Sequence, residues 1–194
     1  MSNLTRDDLF SLEEYAQKRA DFRARVMAHK RPRQVHLGPN ATLYFEDSLT
    51  MQYQIQEMLR IEKIFEKEGI QEELDAYNPM IPDGSNWKAT FMVEYEEVEE
   101  RKVALAKLIG VEDKVWVQVK GFDKVFAIAD EDLERDTEEK TSSVHFLRFE
   151  LMPDMVEAAK GGADIAMGIE HENLSVEVDP VTAATRDSLV ADFS

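Results

Sequence analysis

Residues 51–95 read MQYQIQEMLRIEKIFEKEGIQEELDAYNPMIPDGSNWKATFMVEY. A helix rich in Gln, Glu and Arg leads into a polar loop with two prolines, and the loop feeds a strand. The helix is expected over 49–67, capped by Asp47 or Ser48 and stopped by Gly69. Its core stripe is Ile55, Met58, Leu59 and Phe65. A shorter helix over 71–77 precedes Pro79. Over 88–95 the period changes from 3.6 to 2, with Ala89, Phe91, Val93 and Tyr95 on one face and Lys88, Thr90, Met92 and Glu94 on the other. A helical pattern that switches to a half-buried strand within one stretch argues for mixed rather than all-α or all-β architecture.

The same reading extends in both directions. Thr5 opens a helical N-terminus, which continues through Phe22, Val26 and Met27 to Pro32. Residues 34–37 and 42–46 flank Gly38-Pro39-Asn40 as a hairpin. A helix is expected over 98–109, then a second hairpin over 114–120 and 124–129. Strands follow over 143–151, 163–171 and 174–178, with a helix over 153–161 between the first two. Pro180 opens a C-terminal helix. Hairpins with isolated helices, and no regular β-α-β alternation, predict an α+β fold. It would have a mainly antiparallel sheet, helices packed on one side, and a single domain over 1–194.

Composition limits the function. The 194 residues suffice for one core, and 32% are charged. No apolar run approaches the ~20 residues of a membrane-spanning helix. There are no cysteines, so disulfides, a cysteine nucleophile and Cys-ligated metal centres are excluded. With no basic, apolar secretory signal at the start, a cytoplasmic location is expected. The net charge of −17 opposes nucleic-acid binding. Seven basic residues between Lys18 and Arg33 run against that trend. They read as a solvated helix face, or as a docking patch for an acidic partner. Residues 130–139 are strongly acidic but lack an EF-hand register.

The candidate ligand-binding residues are Gln56 and Arg60 on the 49–67 helix, Asn78 and Asp83 on the loop, and Arg148 and Glu150 on the 143–151 strand. Amides, a guanidinium and carboxylates at i, i+3 and i, i+4 spacing suit a small polar ligand or a partner's backbone. The same pattern also describes ordinary solvated ion pairs. A second reading takes His145 and His171, both at apolar parity on their strands, with Glu57 or Glu62 as an iron or manganese site of oxidoreductase or oxygen-handling type. Its structural rival is a hydrogen-bonded core histidine and an unrelated surface one. Dinucleotide, phosphate-loop, zincin and nucleophile-elbow motifs are missing.

TRDDLFSLEEY, YQIQEMLRIEKIFEKEGIQEELDAYNPMIPDGSN, ADEDLERDTEEKTSSVHFLRFEL and PVTAATRDSLVADF together resemble an uncharacterised bacterial family, a domain of unknown function of about this length. The resemblance spans nearly the whole chain and transfers no catalytic residue. Members are often encoded beside rubrerythrin-like proteins and an iron–sulfur oxidoreductase. The resemblance therefore implies an accessory protein in iron or peroxide handling, with a redox or iron-pathway protein as partner. A homodimer is a further expectation, because an exposed sheet edge or apolar helix face would need covering.

Overall fold

A computed structural model describes residues 3–129 and 140–194; the acidic run at 130–139 lies outside them. The described chain is α+β, with six α-helices and two antiparallel sheets.

The inner faces of the sheets are written in alternating residues. The first sheet runs β1 (Gln34–His36), β2 (Ala41–Phe45), β3 (Asn86–Val93), β7 (Val144–Glu150) and β6 (Ile128–Ala129), in that spatial order. The second runs β5 (Val125–Phe126), β4 (Val115–Val119), β8 (Ile165–His171) and β9 (Leu174–Val178). Leu43, Phe45, Trp87, Ala89, Phe91, Leu147 and Phe149 from the first share one buried cluster with Val115, Val117, Val119, Ile165, Met167 and Ile169 from the second. Each of the larger side chains gains about 1.5–3 kcal/mol from burial, so strand parity is fixed by this layer.

The strands split between two sheets where one was expected. The 124–129 segment is the reason. Val125 and Phe126 pair with β4, whereas Ile128 and Ala129 pair with β7. Ala127, between them, donates its N–H to the Val115 carbonyl at 2.9 Å. One strand thus changes sheets within two residues.

Helix α1 (Leu12–Lys30) starts at a capping box, Ser11 with Glu14, and is continuous. Helix α2 (Ser48–Glu62) is capped by Asp47, whose carboxylate accepts from the Thr50 N–H at 3.0 Å. It ends at Lys63, which sits in the left-handed region at φ 55°. Gly69 was expected to end it, but lies inside α3 (Lys67–Tyr77). Phe65 consequently falls in the connection and is 68% exposed, not in the core stripe. These three helices form a layer with two apolar clusters of its own, one around Tyr15, Phe22 and Val26, the other around Ile55, Leu59 and Leu74. Helices α4 (Val98–Lys107), α5 (Pro153–Lys160) and α6 (Ala183–Val190) lend Leu105, Val156, Ala159 and Leu189 to the core between the sheets.

Arg33 fastens the helical layer to the rest. It is 2% exposed and follows Pro32 just beyond α1. Its guanidinium donates to the Phe45 and Glu46 carbonyls, to the Ser188 carbonyl, and to both oxygens of Asp192, at 2.6–3.1 Å. This residue belongs to the basic run that reads as a surface patch. Burial removes it from any such patch, and Arg19 is likewise engaged, with Glu57.

Candidate functional site

Pro79 and Pro82 fix two φ angles of the loop that follows α3, and a one-turn 3-10 helix (Asn78–Met80) turns it toward β3. Asp83 then closes an Asx-type turn, its Oδ1 accepting from the Ser85 N–H and the Ser85 hydroxyl, each at 3.1 Å. Asn86 accepts from the Asp83 N–H at 3.0 Å and donates to Glu150 at 2.9 Å. The loop is thereby tied to β7 through its own first strand residue.

Beside this loop lies an open polar cavity of about 410 Å³. Asp75 and Asn78 form one wall, Pro79, Ile81 and Pro82 the apolar floor, and Asp83, Lys88 and Asn3 the remainder. Lys88 leaves β3 on the face opposite the core, directly across from Arg148. Its ammonium donates to the Pro79 carbonyl at 2.6 Å. Partial burial holds the Lys88 amine below its ordinary range; Arg148 lowers it further, while Asp83 and Glu150 oppose the shift. Burial would raise the Asp83 carboxyl, but the Ser85 donors and Lys88 outweigh it and hold it below the usual carboxylate value. Arg148 pairs with Glu150 beside the cavity. Four of the expected site residues, Asn78, Asp83, Arg148 and Glu150, therefore gather around a lysine that sequence reasoning had not singled out. Its signal was present: an outward strand position five residues after Asp83.

Gln56 and Arg60 are not at this cavity. Gln56 is fully buried, and its amide pairs with both backbone groups of Phe10, accepting from N–H at 2.6 Å and donating to C=O at 3.3 Å. Arg60 donates to Glu57 at 3.2 Å. The backbone that these amides recognise is the chain's own N-terminus. Asn78 does the same for Leu4, accepting from its N–H at 2.8 Å and donating to its carbonyl at 2.9 Å.

The four residues of the metal reading are dispersed, and Glu57, His145 and His171 have other partners. Glu57 accepts from the Tyr15 hydroxyl at 2.7 Å and from Arg19 through two bonds at 2.7 and 2.9 Å. Arg19 above all holds the Glu57 carboxyl down at about 2, against the opposing effect of burial and with further help from Tyr15 and Arg60. Glu62 closes α2. His145 faces inward as its parity predicts and is 2% exposed beside the Phe91 ring. Its Nε2 lies 2.9 Å from the Thr141 hydroxyl, 3.0 Å from the Ser142 carbonyl oxygen and 3.8 Å from Glu112. His171 ends β8, with Nε2 at 3.0 Å from the Ile109 carbonyl oxygen and Nδ1 accepting from the Asn173 N–H. Among the described residues, no three His, Asp or Glu side chains stand close enough to share a metal ion.

A second cleft, about 530 Å³, lies along α4 between Tyr95, Val103, Leu108 and Leu174. Its walls are mostly apolar, and its charged groups, Glu99, Glu100 and Lys107, are those of the helix itself. No helix among the described residues is long and apolar enough to cross a membrane.

Over residues 3–193 the chain matches a family described as protein of unknown function, DUF3501. It is 51% identical to a novel protein of unknown function from Burkholderia pseudomallei, whose crystal structure was determined at 1.90 Å. The match covers 100% of both chains, with a TM-score of 0.94. No functionally curated protein matches.

Proposed function

We propose that this chain, which belongs to the DUF3501 family of proteins of unknown function, is a cytoplasmic binding protein for a small polar ligand, held in the cavity between the 78–83 loop and β3. One observation carries the reading: a partly desolvated Lys88 ammonium shares a cavity with the carboxylates of Asp75 and Asp83. A half-buried ammonium and two carboxylates lining one cleft favour a ligand that carries both charges. A free amino acid or similar zwitterion fits that demand, its ammonium toward the aspartates and its carboxylate toward Lys88. The apolar floor of Pro79, Ile81 and Pro82 suits an aliphatic portion. Arg148 and Glu150 extend the polar surface beside Lys88.

The proposed setting in iron or peroxide handling draws its support from the family resemblance. A proposed homodimer draws support from Ile61 in the last turn of α2 and Phe65 in the connection after it, which are 61% and 68% exposed. The cavity test is a calorimetric titration with the twenty free amino acids, on wild type and on Lys88→Met. Binding by at least one, weakened tenfold or more in the variant, is the expected result. No heat from any of them ends the zwitterion reading.

A further inference from the structure

The N-terminal residues 3–10 are attached to the protein in an unusual way. Among the described residues their backbone-to-backbone bonds are local, Asp8 N–H to Thr5 C=O at 3.1 Å and Leu9 N–H to Arg6 C=O at 3.2 Å. Every longer-range backbone bond goes to a side-chain amide: Leu4 to Asn78, Asp8 C=O to Gln52 at 2.7 Å, Phe10 to Gln56. Leu4 and Leu9 pack on the Ile55–Leu59–Leu74 cluster, and Phe10 stacks near Tyr15. Between these anchors, Thr5, Arg6, Asp7 and Asp8 are exposed. The segment is thus bound as a peptide is bound, by backbone clamps and two apolar anchors, without joining a sheet.

Its far end reaches the polar cavity. Asn3 lines that cavity, and Asn78 both lines it and clamps Leu4. We infer that residues 3–8 are a strap that gates the cavity in cis, with Asn78 as the latch that couples strap position to cavity access. The inference rests on the cavity being a ligand site, but gating is measurable without any ligand. A strap held by a few side-chain bonds opens locally at far lower cost than the fold unfolds. Once open, it withdraws Asn3 from the cavity lining and frees the Asn78 amide to meet a ligand.

Lys88 supplies the readout, because its amine lies inside the cavity. The full-length protein is pulsed with an N-hydroxysuccinimide acetyl ester, and acetylation is mapped by mass spectrometry. Lys120, 75% exposed, is the internal reference. Hydrogen exchange at the Leu4 amide is followed in parallel. Asn78→Asp keeps the side-chain size but loses the donor to the Leu4 carbonyl. The expected result is faster Leu4 exchange, with the Lys88 rate rising about fivefold relative to Lys120. Leu4→Ser releases the strap without touching the latch and gives the same rise, which guards against a misfolded Asn78 variant. A Lys88 rate that stays constant while Leu4 is freed overturns the gate. So does a Leu4 amide that both variants leave protected. Gating without any amino-acid binding would sink the zwitterion reading and leave the strap intact.

Discussion

Two ion pairs show how differently a charge can serve this protein. Arg33 and Asp192 are 2% and 3% exposed and joined through two bonds, so neither can lose its partner cheaply. Arg33→Met leaves Asp192 buried without a cation and should cost about 3–5 kcal/mol in urea denaturation. Adding Asp192→Leu should recover much of that loss, because the uncompensated charge is then gone. Glu57 is more accessible and its partners Arg19 and Arg60 are 35% and 41% exposed, so solvent screens the interaction. Glu57→Gln should cost about 1 kcal/mol. The sequence hid this contrast. Arg33 sits in a basic run like any surface residue, and its burial follows from Ser188 and Asp192, more than 150 positions away. The outward position of Lys88 was legible, but its surroundings were hidden for the same reason: they are assembled from α3, the proline loop and β7. Gln56 was legible as a recognition amide, but not the fact that it recognises Phe10 of its own chain.

Local pattern determined the elements far better than it determined the partners. The 2-residue period over β3 and β7 was sharp because one face of each is buried, and it correctly turned His145 inward. The end of α2 was misread because a glycine six residues on looked like the stop. The actual left-handed residue is Lys63, a conformation that a side chain adopts at some cost. Lys63→Gly should therefore stabilise the protein by about 0.5–1 kcal/mol, seen as a raised urea midpoint with an unchanged slope. A strand glycine gives the opposite case. A methyl group on Gly168 would lie 2.5 Å from the Trp116 ring and 2.5 Å from the Val176 carbonyl oxygen, between two strands that cannot separate. Gly168→Ala should cost about 1–3 kcal/mol, with Trp116 fluorescence altered in the folded state. Strand order lay beyond any local pattern: the division into two sheets depends on Ala127 bonding across to Val115 while its neighbours pair elsewhere.

At the scale of the whole molecule, the net charge of −17 acts on stability as self-repulsion, and two titrating groups shape how it responds to pH. Burial pushes the Asp192 carboxyl up to about 6, despite Arg33. The folded protein thus holds that proton more tightly than the unfolded chain does. The associated stability is complete below the ordinary value of 3.8 and is lost as pH rises through about 6. Glu57 has the opposite sign. Its contribution is present above 4.5 and is lost as pH falls toward about 2. Lowering pH from 8 to 5.5 both reduces the net charge and begins to protonate Asp192, while Glu57 remains ionised. The melting temperature should therefore rise over that interval, by roughly 2–4 °C for each 1 kcal/mol gained, and fall again below pH 4. Salt separates the two causes. At pH 8, about 0.5 M NaCl screens surface repulsion and should raise the melting temperature, but the buried Arg33–Asp192 pair is shielded from it. A pH gain that survives in high salt belongs to Asp192, and Asp192→Asn should flatten that part of the profile. A melting temperature that declines steadily from pH 8 to 5.5 at both salt concentrations would contradict the account of both charges.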